Sequence, residues 1–372
     1  MRDEQISTML AERITAGDFP SAVYVVAERG EVLLADALGD AVRDLERHAA
    51  TLETIYDLAS LTKPLITGLL SALFLERGEI KLEDSISRYL PEFDTGDKRA
   101  ITLRYLLTHT SGLPAWRPLY LSAGGEVGRT LQAIANEPLE AEPGTRVRYS
   151  DLGFITLGLL LARLGQDTLA EISRREIFEP LKLKRTFFNP DKALVTGVAA
   201  CEMGNRYERE TCAAEQAGED YGWRENLIWG EVHDGNAYFL GGAAGHAGLF
   251  STAGETLRIA TQFHAGGTEI LKPETCSLFR TNLTEGMEEA RSIGWQLAAT
   301  KDSTAGPRLP PESFGHLGFT GTSCWNDPTR ERVYILLTNR THARTLPFAN
   351  INSVRRQFHT LAADALEAKG SR

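Results

Sequence analysis

Ser60-Leu61-Thr62-Lys63 opens the most strongly apolar helical stretch in the chain, Pro64-Leu65-Ile66-Thr67-Gly68-Leu69-Leu70-Ser71-Ala72-Leu73-Phe74-Leu75. Leu65, Ile66, Leu69, Leu70 and Leu73 recur at helical spacing and predict a buried helix from about Ser60 to Arg77, with Gly78 as its stop. The polar first turn is the exception in that pattern. A serine there meets unpaired backbone N–H groups and the positive end of the helix dipole, both of which favour developing negative charge. Lys63 is three residues on and shares the face of Ser60. A serine hydroxyl is a poor nucleophile and needs a base; a lysine can serve, or can help lower the pKa of another base. Ser-x-x-Lys by itself says little. With 18 serines and 9 lysines it arises by chance in about one chain of this size in two. Its ordinary reading is a capping serine and a solvated lysine.

Two other stretches stand out. Tyr149-Ser150-Asp151 precedes an apolar helix from Asp151 to Leu164. Its ordinary reading is a helix start, capped by Ser150 or Asp151 with Tyr149 packed as a staple. His316-Leu317-Gly318, followed by Phe319-Thr320-Gly321-Thr322-Ser323, is a glycine- and threonine-rich strand. Glycines in a strand mark close approach of a ligand or another backbone; the alternative is a bulged edge strand with a surface histidine.

In this order and spacing, the three stretches resemble the serine β-lactamase and penicillin-binding-protein superfamily. The branch is that of class C β-lactamases, D-Ala-D-Ala carboxypeptidases and β-lactamase-fold esterases. Thr108-His109-Thr110-Ser111-Gly112-Leu113-Pro114, Gly245-His246-Ala247-Gly248-Leu249-Phe250-Ser251-Thr252 and Gly318-Phe319-Thr320-Gly321 support the likeness, which runs from about Gln5 to Ala365. It implies an α+β, transpeptidase-like fold: an antiparallel sheet flanked by helices, with an inserted mainly helical region. Residues 1–59 and 245–372 would build the sheet domain from both termini. Residues 60–244 would form the helical region, with an aromatic, irregular insertion near 199–242.

The resemblance further implies that Ser60 forms an acyl-enzyme, with Lys63 and Tyr149 as the proton-transfer pair. The backbone N–H groups of Ser60 and Phe319 would form the oxyanion hole. Asp151, His316, Gly318 and Thr320 would meet the substrate, and neither metal nor organic cofactor would be needed. A tyrosine acting as an anion must have its pKa brought down from about 10 by nearby cations. Two departures bear on substrate. His316 stands where many β-lactamases carry the lysine of Lys-Thr-Gly, and histidine is only part charged near neutrality. The expectation is a weaker grip on penicillin-type carboxylates and a preference for esters, small amides or D-amino-acid peptides. Asp151 stands where many relatives carry asparagine; it would hold Lys63 protonated or merely cap the next helix.

Composition sets the outer limits. The chain has 372 residues, 42% hydrophobic and 24% charged, as an ordinary globular enzyme does. Its net charge of -10 argues against a nucleic-acid partner. The four cysteines, Cys201, Cys212, Cys276 and Cys324, show no C-x-x-C pair, so reduced thiols are expected. No apolar leader or 20-residue apolar run is visible, which predicts a cytoplasmic chain with no membrane span. Its partner would be a small-molecule or short-peptide acyl substrate. Glu231-Val232-His233-Asp234-Gly235-Asn236, with His246, fits no standard zinc spacing and reads as a wall of the pocket; His109 reads as structural. The glycines Gly241, Gly242 and Gly245 lack the Gly-Lys-[Ser/Thr] of a nucleotide loop, and no serine sits in Gly-x-Ser-x-Gly. The readings that remain are an ester- or amide-cleaving serine hydrolase, a true class C-like β-lactamase or penicillin-binding carboxypeptidase, and a catalytically silent ligand-binding relative.

Overall fold

The computed structural model describes residues 1–370. Helix Glu4–Ala16 leads into three strands, β1 (Ser21–Glu28), β2 (Glu31–Val42) and β3 (His48–Ala49). Three short strands follow, β4 (Tyr56–Asp57), β5 (Phe187–Phe188) and β6 (Leu249–Ser251), and then β7 (Gln296–Leu297), β8 (Phe314–Leu317), β9 (Ser323–Asp327) and β10 (Arg332–Thr338). The large sheet runs β3-β2-β1-β10-β9-β8-β7, antiparallel at every pairing, so the two ends of the chain meet where β1 pairs with β10. A second sheet, β4-β6-β5, ties the helical region to it.

The side-chain period of two explains why β1 and β10 read as unbroken apolar runs. Val23, Val25 and Ala27 of β1, with Val333, Ile335 and Leu337 of β10, face a core shared with Leu65, Ile66, Leu69 and Leu70. Ala22, Tyr24 and Val26, with Tyr334 and Leu336, face a second core closed by Ile6, Met9 and Leu10 and by Phe358, Ala362 and Leu366 of helix Asn352–Gly370. Both faces are therefore dry. Each fully buried chain of this kind contributes about 1.5–3 kcal/mol of transfer free energy.

Some elements differ from their sequence reading. The glycine- and threonine-rich stretch from His316 to Ser323, read as one strand, is instead the turn of a hairpin, β8 and β9, because Gly318 to Gly321 turns the chain back: the Gly321 N–H donates to the Gly318 carbonyl at 3.1 Å. The segment from Ser60 changes winding twice, from a 3-10 turn (Ala59–Leu61) through a π-helical stretch (Lys63–Gly68) to α-helix (Leu69–Glu76). Pro64 sits at the first change, where its missing N–H costs nothing. Between 199 and 242, helices Arg206–Ala214 and Gly235–Phe239 are joined by irregular backbone. Arg224 holds that backbone by donating to the carbonyls of Val232 and His233, both at 2.8 Å. All four cysteines are buried and unpaired. Among the described residues no single helix is long and apolar enough to cross a membrane.

Candidate active site

Ser60 sits on a strained elbow. Ala59, just before it, holds φ at 47°, a left-handed conformation that costs a non-glycine residue roughly 1–3 kcal/mol. Buried hydrogen bonds hold the elbow in place. The Asp57 carboxylate accepts from the backbone N–H of Ala59 and of His233, each at 2.8 Å. Thr62 donates to the Ala59 carbonyl at 2.6 Å and accepts from the Leu249 N–H at 3.1 Å. Thr320 and Thr322, from the β8–β9 turn, donate to the carbonyls of Asp57 (2.7 Å) and Leu58 (3.0 Å).

Lys63 is fully buried, and its ammonium meets Ser60 Oγ at 3.0 Å, the His246 carbonyl at 3.1 Å and Asp151 Oδ1 at 2.6 Å. The Asp151 contact is a buried ion pair. The His246 carbonyl is in reach because Gly245 threads between two helices. A Cβ on Gly245 would collide with the Phe154 carbonyl and with Gly158, and the Thr67 hydroxyl donates to the Gly245 carbonyl at 2.7 Å.

Tyr149 arrives from the other side, one residue before the Ser150 cap of helix Asp151–Gly165. Ser150 Oγ accepts from the Gly153 N–H at 3.2 Å, so Asp151 is free of the capping role. The ring of His109 packs 4.6 Å behind Tyr149, and its Nδ1 accepts from the Ser150 N–H at 3.0 Å. His109 is thus a structural prop. The Tyr149 hydroxyl interacts with both Lys63 and Ser60.

Proton affinities in this cluster depart from the sequence expectation. Burial works against the Lys63 charge, but Asp151 and Tyr149 more than offset it, and the ammonium is held above its ordinary pKa. Burial, with Asp151 in support, raises Tyr149; Lys63 and Ser60 pull the other way and lose. The phenol is therefore neutral at rest, where the sequence had suggested that cations would bring it down. His316 is pushed well below its usual pKa by burial and by Lys63 and Arg291, so it is neutral rather than part charged.

A cleft of about 490 Å³ opens over Ser60. Tyr149, Asp151, Gly318 and Phe319 line it as expected. Two expected contacts lie elsewhere. Thr320 is buried, with its hydroxyl committed to Asp57, and acts on the elbow instead. His316 is buried behind Tyr149, ring to ring at 5.9 Å, with Nδ1 on the Leu317 carbonyl at 2.8 Å. Gly318 itself is packed so closely that a Cβ would collide with Thr322 Oγ1 and the Leu58 carbonyl.

The sequence reading missed two arginines. Arg340 and Arg355 both line the cleft, and neither has a carboxylate partner among the described residues. Arg355 donates to the carbonyls of Gly318 (2.7 Å) and Thr322 (2.9 Å); burial and the charge of Arg340 lower its pKa to about 9. Burial likewise lowers Arg340. No local pattern announces them, since one follows a strand and the other starts a surface helix. On the opposite side, the 199–242 insertion contributes Tyr207, Glu208, Thr211, His233 and Asp234. His233 pairs with Glu202 at 3.0 Å and His246 with Asp234 at 2.8 Å. Among the described residues no three His, Cys, Asp or Glu side chains gather as a metal site.

The arrangement combines a half-buried hydroxyl, an ammonium and a phenol in contact with it, and unneutralised cations along the cleft. That is the equipment of acyl transfer through a serine. Comparison with known proteins agrees. Residues 6–354 match the family model described as Beta-lactamase. The chain is 30% identical, over 92% of its length and 83% of the relative's, to a protein of Escherichia coli (strain K12) named "Putative D-alanyl-D-alanine carboxypeptidase". It is also 30% identical, over 90% of its length and 80% of the relative's, to the "N-acetylmuramyl-L-alanine amidase" of Bacillus subtilis (strain 168). Among solved structures, the β-lactamase/D-alanine carboxypeptidase from Pseudomonas syringae superposes with a TM-score of 0.74 at 17% identity, covering 96% of this chain and 97% of that one.

Proposed function

This chain belongs to the beta-lactamase family and is a serine hydrolase, and from that premise we propose that it cleaves an amide bond in a carboxylate-bearing peptide through an acyl-enzyme on Ser60. The observation that carries the reading is the 3.0 Å contact of Lys63 with Ser60 Oγ, in a cleft where Arg340 and Arg355 have no acidic partner among the described residues. Ser60 Oγ attacks the carbonyl. Tyr149 takes the serine proton while passing its own to the departing amine, because the resting phenol is neutral and Lys63 is protonated, so neither is a free base. Asp151 keeps Lys63 charged, and Lys63 stabilises the negative character that Tyr149 carries within this relay. The N–H groups of Ser60 and Phe319 receive the oxyanion; one such donor is worth about 2.7–4 kcal/mol in rate. Water then takes the path of the amine in reverse.

The arginines favour a substrate with a negative end, which esters of simple alcohols lack. The names of the two curated relatives both describe cleavage of amides in peptides or muramyl peptides, and these are the substrate classes to try first. Intact-mass analysis after a fluorophosphonate, and separately after a penicillin, tests the nucleophile. Wild type gains one adduct, and Ser60→Ala gains none and loses turnover by at least about 10³-fold. An adduct that persists in Ser60→Ala refutes the assignment.

A further inference from the structure

The cleft over Ser60 does not end at the insertion. A second cavity, of about 440 Å³, adjoins it and shares Tyr207 and Thr211 with it. Helix Arg206–Ala214 is the ridge between the two. Its Glu208 faces the cleft, Tyr207 and Thr211 serve both spaces, and Arg206 and Glu210 face the second cavity alone. The spacing explains this: 207 and 211, like 206 and 210, are one helical turn apart and form two adjacent rows.

We infer that this second cavity binds a sugar ring carried by the part of the substrate that stays away from the scissile bond. The inference deepens the proposed function and rests on its placing of the reacting serine. Its centre is Tyr207, 39% exposed although its ring is fixed from behind. Phe319 packs against that ring at 4.8 Å and Phe348 at 5.9 Å, the latter nearly parallel at 26°. Phe319 is in turn covered by the Arg340 guanidinium at 4.9 Å. A rigid aromatic face that stays open to solvent suits the C–H face of a pyranose, where many weak dispersion contacts accumulate without ordering cost. Hydroxyls in the plane of such a ring need donors and acceptors at its edge. Arg206 and Glu210 supply them: both are exposed, and neither has an ion-pair partner among the described residues. Thr211 donates to the Tyr207 carbonyl at 2.9 Å and keeps its acceptor capacity.

A peptide fits this space less well. One common way to hold an extended peptide is to pair it with a strand edge. The second cavity is lined by one helix and by the 345–347 turn, with no strand residue in its wall. A ligand there is gripped by side chains.

The test uses the Ser60→Ala protein, so that nothing is consumed, and calorimetric titration with two probes. One is N-acetylmuramyl-L-alanyl-D-isoglutamine; the other is the same dipeptide with an acetyl group in place of the sugar. The muramyl probe is expected to bind at least about tenfold tighter. Adding Tyr207→Ala removes that difference, Tyr207→Phe keeps most of it, and Glu210→Ala reduces it. Equal affinities for the two probes, no binding of either at millimolar concentration, or a Tyr207→Ala effect of equal size on both, overturns the inference. Fluorophosphonate labelling of the wild-type protein decides the Ser60 assignment separately. A labelled serine with no sugar preference sinks only the subsite, and a sugar preference with no labelling sinks only the chemistry.

Discussion

Replacing Asp151 by asparagine keeps the shape of that side chain and removes its charge. Lys63 then sits in a site with no solvent contact, facing the neutral oxygens of Ser60, His246 and the Tyr149 phenol. Breaking one half of a buried ion pair typically costs about 3–5 kcal/mol. Lys63 has an escape, which is to lose its proton. Each pH unit below an unfolded-state pKa near 10.4 makes that escape about 1.4 kcal/mol more costly. The penalty of Asp151→Asn is therefore capped at about 5 kcal/mol at pH 7 and at about 2 kcal/mol at pH 9. The direction with pH is distinctive. In the wild type the raised Lys63 contributes stability that is fully present below the ordinary lysine pKa, so between pH 7 and 9 it is constant. In the variant the folded state binds fewer protons than the unfolded state, so stability recovers as pH rises. Urea unfolding of both proteins at pH 7 and pH 9 measures this. A penalty under about 1 kcal/mol at pH 7, or one that is the same at both values, would mean that Asp151 is not the counter-ion of Lys63.

Three further outcomes follow from the same geometry. Burial and the charge of Asp234 push Glu208 up to about 7, so its contribution to stability is complete below the ordinary glutamate pKa and is lost as pH rises through 7. Glu208→Gln, which mimics the protonated acid, is expected to unfold up to about 3 kcal/mol harder than wild type at pH 8 and no harder at pH 4, and equal melting at pH 8 would contradict it. Gly318→Ala would drive a methyl group into Thr322 and the Leu58 carbonyl, costing about 1–3 kcal/mol in stability and more than about tenfold in kcat by displacing the Phe319 N–H; a variant with wild-type turnover rejects that placement. Arg355→Gln should lower kcat/KM on a carboxylate-terminated peptide at least about tenfold more than on a neutral nitrophenyl ester, the ratio cancelling any shared damage to the turn. An unchanged ratio argues against a carboxylate partner for Arg355.

That Ser60, Lys63 and Tyr149 would be brought together was legible through the order and spacing of three short stretches and the family they resemble, not through any one local pattern. Ser60 and Lys63 lie three residues apart on an apolar segment, and Tyr149 abuts a capped helix. The details that set their behaviour come from the fold. The neutral state of Tyr149 comes from burial and from the Asp151 carboxylate two residues on, where the resemblance had implied an anion held down by cations. The resemblance implied Thr320 as a substrate contact, but the hairpin turn points its hydroxyl at the Asp57 carbonyl. Arg340 and Arg355 come together because the last helix packs against β10, the strand that Arg340 follows. The 199–242 segment resisted periodicity analysis for a physical reason: much of it is held by Arg224, Asn205 and edge-on and tilted aromatic contacts rather than by a repeating backbone ladder.

The two threonine bonds from the β8–β9 turn to the backbone before Ser60 have a consequence for how this scaffold can vary. They rivet the elbow to the strand pair, so thermal motion shifts both together and leaves the spacing between them unchanged. The insertion that faces them shares no such rivets with the elbow apart from the Asp57 bond to His233. Changes of length or sequence along helix Arg206–Ala214 can therefore reshape what the protein accepts while the reacting groups keep their alignment.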